Sequence, residues 1–458
     1  MTEMLAPVPV LQGNAAVIEA EILWFSKVID LRMKMHLGEV EAGLPVDRIP
    51  PPSLDDRAVP YADVVRRYGL NGAERLVLML AFLPHIRPEL LDPFLIQNQT
   101  LGRRFTEFGG LVGQSHSGTL PTGETAMFLL AGGNTELRLR YRSLFSADHP
   151  FQTEGILEFD HRHQDEPFLS SGLRLSPSMV EALTTGRPYH PPFSPDFPAQ
   201  RIETSLEWSD LVLDNATRRE VEDIVAWMRN EAVLMHDWGL KKRLKPGYRA
   251  LFYGPPGTGK TLTASLLGKE TDRSVYRVDL SKVVSKWIGE TEKNLASLFD
   301  HAHHQNWILF FDEADSLFGK RTETRSSNDR AANQQVAYLL QRIEDFPGVV
   351  ILATNLRNNL DEAFARRFQT MLMFRMPGPD QRQRLWSDCF AEKPFTLAAD
   401  VDLSRLARDH ELSGGSIINV LRYACLKAVD RQPAQILMAD LQEGVRREMH
   451  KDGRFVKT

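Results

Sequence analysis

The chain has 458 residues, 42% of them hydrophobic and 25% charged, with a formal net charge of −5. That composition excludes a disordered or fibrous chain and supplies two or three ordinary folded domains. No long basic block accompanies the balanced charge, which excludes a chain-wide electrostatic footprint for nucleic acid, and two cysteines, Cys389 and Cys425, exclude a disulfide framework.

The opening MTEMLAPVPVLQGN lacks the basic-then-apolar order of a signal peptide, and no apolar run reaches the roughly 18 residues a bilayer requires. A soluble cytoplasmic protein with reduced thiols is the expectation. Residues 1–60 read as a helical segment. Within it, Val17 to Leu37 carries Ile18, Ile22, Phe25 and Ile29 on one face, with Glu19, Glu21 and Asp30 elsewhere. The prolines at 50–52 end it, because consecutive prolines cannot continue a helix.

Residues 61–186 mix patterns. AERLVLMLAFL and SPSMVEALTTG have helical apolar spacing, whereas LRLRYR (137–142) and ILEFDH alternate as strands do. Helices followed by short strands predict an α+β, winged-helix-like module. Without a basic recognition helix, protein contact is favoured over DNA contact. Residues 187–200 are rich in proline and poor in long aliphatics, and form the expected linker.

Beyond the linker lies the strongest signal. The apolar run 248–253 leads into GPPGTGKT (254–261), and the helical pattern TLTASLLGKE follows. Strand, glycine-rich turn and helix in that order are what a phosphate loop requires. Its glycines let the loop's backbone N–H groups point at phosphate oxygens, so Gly254, Pro255, Pro256, Gly257, Thr258, Gly259, Lys260, Thr261 and Leu262 form the expected nucleotide-binding stretch. The positive end of the helix adds to this. Lys260 would reach the outer phosphates of ATP, and the Thr261 hydroxyl would ligate Mg²⁺.

The second signal is WILFFDEAD. Its continuously apolar residues 307–311 predict a central parallel strand buried on both faces. Asp312 would hold Mg²⁺, and Glu313 would polarise the attacking water. Adjacent carboxylates at a buried strand end are costly unless a cation sits beside them. Although the letters at 312–315 spell the signature of a class of RNA helicases, only 205 residues remain from Gly254 onward (458 − 253), cramped for two nucleotide-fold domains. The helicase tripeptide Ser-Ala-Thr and the His-Arg-x-Gly-Arg motif are missing there as well. Another ATP-driven machine is the better reading. Downstream, VVILATN ends on Asn355, an amide able to orient the lytic water. LDEAFARRF brings Arg366 and Arg367, which are either a solvated helix end or arginine fingers. His301, His303 and His304 lie too close together on a helix to converge on one metal ion, so a solvated helix end is expected.

From Trp208 to Arg447 the chain resembles the AAA subfamily of AAA+ ATPases, the group holding katanin, spastin and the AAA proteases. The resemblance rests on WSDLVLDNATRREVEDI, GPPGTGKT, KWIGETEKNL, ILFFDEAD, ILATN, LDEAFARRF and SGGSIINV, in that order. It implies a P-loop α/β core (201–376), a helical lid (377–458) and a homo-hexameric ring with ATP at subunit interfaces. It further implies Asn355 as the sensor, Arg366 and Arg367 as fingers acting on the neighbour, and Gly415 beside the nucleotide. EDFPG (344–348) resembles the family's intersubunit signalling segment but lacks its middle glycine. Lys286, Trp287, Ile288 and Gly289 resemble the pore loop that grips an extended polypeptide, work suited to flat apolar side chains that need no matched hydrogen bond.

The implied function is remodelling, unfolding or disassembly of protein substrates by threading. The front module before a single ring resembles ATPases encoded with phage-tail-like contractile injection systems. Two alternatives stand beside it. One is a nucleic-acid-directed AAA+ ATPase of the clamp-loader or transposition-helper type; the other is a nucleotide-switched scaffold. No H-E-x-x-H is present, so no zinc protease of that type is fused.

Overall fold

The computed structural model describes residues 8–40, 49–54, 58–113, 115–159, 165–194, 197–279, 290–314, 337–355, 365–391, 396–431 and 434–451. The chain divides into two compact units, Met1–His190 and Pro191–Thr458.

The first unit is mainly helical. Its long helix Val8–His36 begins well before the expected Val17 and packs on helices Pro60–Arg67, Gly72–Ile86 and Gly123–Ala131. Leu76 to Leu83 is buried on every side, as an apolar stretch without a polar face must be. Asn71 caps that helix by accepting from the N–H groups of Ala73 and Glu74, while Glu74 reaches back to the Asn71 N–H. Among the described residues the strands are two-stranded antiparallel ribbons of two or three residues per strand.

Two expectations fail here. LRLRYR is not a strand: Thr135–Tyr141 is a helix, capped by Asn134, whose side chain accepts from the Leu137 N–H. None of its residues is buried, so its leucine–arginine alternation marks no sheet face, and one of the two strands behind the winged-helix expectation is lost. ILEFDH does contribute a strand, Leu157–Phe159. Glu21, expected away from the apolar face, is fully buried and paired with the buried Arg75. Burial raises the Glu21 carboxyl above the usual carboxylate range, and Arg75 opposes that rise. Arg75→Met strands this carboxylate and is expected to destabilise the first unit by about 3–5 kcal/mol. Urea unfolding of the full chain measures this as an earlier first transition.

The second unit is built on a six-stranded sheet. Its elements in chain order are β1 (Ala199–Ile202), α1 (Asn215–Ala232), β2 (Tyr248–Tyr253), α2 (Lys260–Thr271), β3 (Val275–Asp279), α3 (Glu290–His304), β4 (Ile308–Asp312), β5 (Val349–Thr354) and β6 (Thr370–Met373). The strands lie in the order β6-β2-β5-β4-β3-β1, all parallel except β1. Apolar β2, β4 and β5 are buried as their sequences predict. β1 takes in the last two residues of the expected linker: 199 and 200 pair with β3, and Phe197 packs against Tyr276 and Trp307. Among the described residues four α-helices follow, α4 (Pro379–Phe390), α5 (Leu403–Asp409), α6 (Gly414–Val429) and α7 (Met438–Lys451), around their own core of Trp386, Ile417, Leu421 and Leu441.

Candidate nucleotide site

The phosphate loop joins β2 to α2. Because β2 is central and parallel to its neighbours, the loop opens at the carboxyl ends of the strands, where open α/β sheets bind ligands. Gly257 sits at φ 73°, and a Cβ there would lie 2.5 Å from the Ser413 Oγ and 3.3 Å from the Gly415 Cα. Glycine is therefore needed both for the turn and for the approach of the helical lid. The Gly415 N–H donates to the Gly257 carbonyl at 2.9 Å, which ties α6 to the loop.

Lys260 opens α2 and is buried. Its Nζ donates to the Gly254 carbonyl at 2.8 Å, the Pro255 carbonyl at 2.9 Å and the Asn355 Oδ1 at 2.9 Å. The ammonium is thus held at the mouth of the loop, joined to the amide that ends β5. Asp312 ends β4, and its Oδ1 accepts from the Glu313 N–H at 3.0 Å. Glu313 is exposed and has φ 51°. A left-handed non-glycine residue at a strand end is strain of a kind that collects at functional sites.

These groups line one cleft of about 490 Å³, the size of a small-molecule site. It brings together Pro256, Gly257, Thr258, Gly259, Lys260, Thr261, Leu262, Asp312, Glu313, Asn355 and Gly415. Thr261 and Asp312 offer hard oxygen donors in the same cleft as the lysine, a donor set that would fit Mg²⁺. Leu211, Val212, Leu385 and Ile417 supply the apolar wall.

Residues 250–376, from the third residue of β2 to the segment between β6 and α4, match the family described as ATPase family associated with various cellular activities (AAA). The chain carries an AAA domain. Protein CdcH of Halobacterium salinarum is 33% identical over 232 residues, covering 49% of this chain and 30% of that protein. The uncharacterized AAA family ATPase y4kL of Sinorhizobium fredii is 36% identical over 212 residues, covering 46% and 61%. The proteasome-activating nucleotidase of Methanopyrus kandleri is 31% identical over 239 residues, covering 51% and 54%. The chain thus spans less than two thirds of the length of these relatives.

Around the AAA domain's cleft, several residues escaped the sequence reading. Leu206, Asp210, Leu211 and Val212 come from the segment before α1, and Leu385, Cys389, Ile417 and Ile418 come from the lid. Arg375, exposed just past β6, also lines the cleft. WSDLVLDNATRREVEDI and SGGSIINV carry the family resemblance, but no local pattern makes their apolar residues cleft walls, because the lead-in and lid meet the loop only through the fold.

Arg366 and Arg367 are not in the cleft. They precede β6, whose Thr370 lies opposite Ala250 and whose Met373 lies opposite Tyr253 in β2. The phosphate loop follows Tyr253. The arginines therefore sit at the other end of the sheet, separated from the loop by at least roughly 13 Å of strand. Arg366 is exposed, and Arg367 pairs with Glu344 at 2.5 Å. Lys286, Trp287, Ile288 and Gly289 lie outside the described residues, as does Asp315. Among the described residues no group of three or more His, Cys, Asp or Glu side chains is arranged to hold a metal ion.

One consequence concerns the contact between loop and lid. Gly257→Ala forces a strained φ and pushes Ser413 away, and is expected to weaken ADP binding roughly tenfold, equivalent to about 1.4 kcal/mol. Titration with a fluorescent ADP measures it.

Proposed function

We propose that this chain is an ATP-hydrolysing ring machine that remodels, unfolds or disassembles a protein partner, working as a homo-hexamer. The observation that carries the reading is the opposed placement of two half-sites. Lys260, Thr261, Asp312, Glu313 and Asn355 meet at one end of the sheet, and Arg366 and Arg367 stand at the other. Arginines so far from their own loop can serve a phosphate only when another copy presents one. A head-to-tail arrangement that closes on itself makes a ring with one such shared site per interface.

In this reading Lys260 and the loop N–H groups hold the outer phosphates of ATP. Thr261 and Asp312 would hold Mg²⁺, which when bound screens the phosphate charge. Asn355 and Glu313 orient the attacking water, and Glu313 accepts its proton as the water oxygen bonds to the γ-phosphorus and ADP leaves. The neighbour's Arg366 stabilises the charge on the transferring group. Gly415, tied to Gly257, lets the lid follow the state of the loop. Trp287 and Ile288 would pass that motion to a polypeptide in a central pore. The first unit would select the client, and the resemblance to ATPases encoded with phage-tail-like contractile injection systems makes such a system the candidate setting. The formal charge of −5 gives no support to nucleic acid as the client.

Turnover of ATP by the full chain, with and without an unfolded polypeptide such as casein, tests this reading. Stimulation is expected in the wild type and is expected to be lost in Trp287→Ala. Stimulation by DNA instead, falling steeply with salt, would replace the protein client with a nucleic acid. Among the described residues no helix is long and apolar enough to cross a membrane.

A further inference from the structure

Arg249 is an unusual residue for its position. It is the second residue of β2, an interior strand of the sheet, and only 3% exposed. Burial depresses its guanidinium below the ordinary arginine range, with Glu344, Asp345 and Glu231 opposing that shift. An arginine in such a place must be hydrogen-bonded to be tolerated at all.

Its bonds run in two directions. On one side, Nη1 donates to the Glu344 carbonyl at 2.9 Å, the Phe346 carbonyl at 3.4 Å and the Pro246 carbonyl at 3.3 Å. On the other, the Arg249 backbone N–H donates to the Gln369 Oε1 at 2.8 Å and the Arg249 Nε donates to the same oxygen at 3.3 Å, while the Gln369 N–H returns a bond to the Arg249 carbonyl at 3.0 Å. Gln369 is two residues from Arg367 and three from Arg366. Glu344 is the ion-pair partner of Arg367.

The turn at 344–348 is seated closely as well. Gly247 has φ 83°, and a Cβ there would lie 2.4 Å from the Phe346 carbonyl oxygen. Phe346 is buried against Phe299 of α3. One guanidinium therefore links the turn that leads into β5 with the segment that carries the arginine pair, and it does so at the end of the sheet away from the cleft.

We propose that Arg249 is a positioning residue for the shared site: by joining the 344–346 turn to Gln369 it sets where Arg366 is presented to the nucleotide of an adjacent copy. The proposal rests on the ring reading above. It assigns Arg249 no contact with its own nucleotide, so its loss damages the neighbour's turnover and leaves its own pocket intact.

Mixing full-length chains tests this. Arg249→Met is expected to lower kcat roughly tenfold or more while ADP affinity stays within about twofold, and Arg249→Lys is expected to recover part of the loss. Gln369→Met, at an exposed position, removes the side-chain part of the same link without emptying a buried site and is expected to act in the same direction. An equal mixture of either Met variant with Lys260→Ala is expected to regain turnover, because the Lys260→Ala copy lends intact arginines to an intact pocket. A mixture with Arg366→Ala is expected to regain none. Turnover within about twofold of wild type in both Met variants overturns the proposal. Recovery with Arg366→Ala but not with Lys260→Ala overturns it too, since the defect would then lie in the chain's own pocket. Arg366→Ala mixed with Lys260→Ala serves as the reference: if that pair regains nothing, the ring reading falls and the role of Arg249 with it.

Discussion

Glu313→Gln is expected to slow ATP turnover by roughly 10²–10⁴-fold while ATP still binds. The amide keeps the size and the exposed placement of the side chain at the end of β4 but cannot accept a proton from water. Lys260, Thr261, Asp312 and Asn355 remain in the cleft, so the triphosphate keeps its partners. Single-turnover hydrolysis and fluorescent-ATP titration separate the two effects. Weak binding with unchanged single-turnover hydrolysis would instead make Glu313 a binding group.

Arg366→Ala is expected to have the larger effect, about 10³–10⁵-fold on kcat, the range an arginine supplied to a neighbour's phosphate contributes. Arg367→Ala is expected to cost less. Its guanidinium is engaged by Glu344 within the chain, with both side chains partly exposed, and such a pair contributes on the order of 0–1 kcal/mol to stability. Turnover measured for the two single variants distinguishes the pair, which the sequence presents as equivalent neighbours. Equal losses from both would mean that the Glu344 pair breaks when the ring forms.

The core of the site is legible in the sequence alone. GPPGTGKT between an apolar run and a helical pattern could be little else, and the run 307–311 is buried on both faces as a central strand must be. Such signals are local: each needs only its own residues and the period of its own element. The failures share the opposite character. LRLRYR alternates like a strand but is an exposed helix, since a period of two means nothing without a sheet to face. Glu21 looked like a solvent residue because its partner, Arg75, is 54 residues away. β1 was hidden in a proline-rich stretch because its pairing with β3 lies more than 70 residues downstream. Arg249 is a charge inside an apolar strand, and only its bonds to Glu344, Phe346 and Gln369 give it meaning.

The same contrast explains the cleft walls. The loop supplies phosphate chemistry from contiguous residues, but Leu211, Leu385 and Ile417 reach the nucleotide side from the lead-in and the lid. A motif carries the reacting groups; the enclosure depends on tertiary contacts, which one sequence does not reveal.

The central claim is that each working site is shared by two copies. It is tested most directly by turnover in an equal mixture of Lys260→Ala and Arg366→Ala chains, each inactive alone. Random assembly places an intact pocket beside intact arginines at about a quarter of the interfaces, and turnover is expected to rise toward that share of the wild-type value. A mixture as inactive as its components, from a chain that stays monomeric with ATP and is active as wild type, would contradict the account.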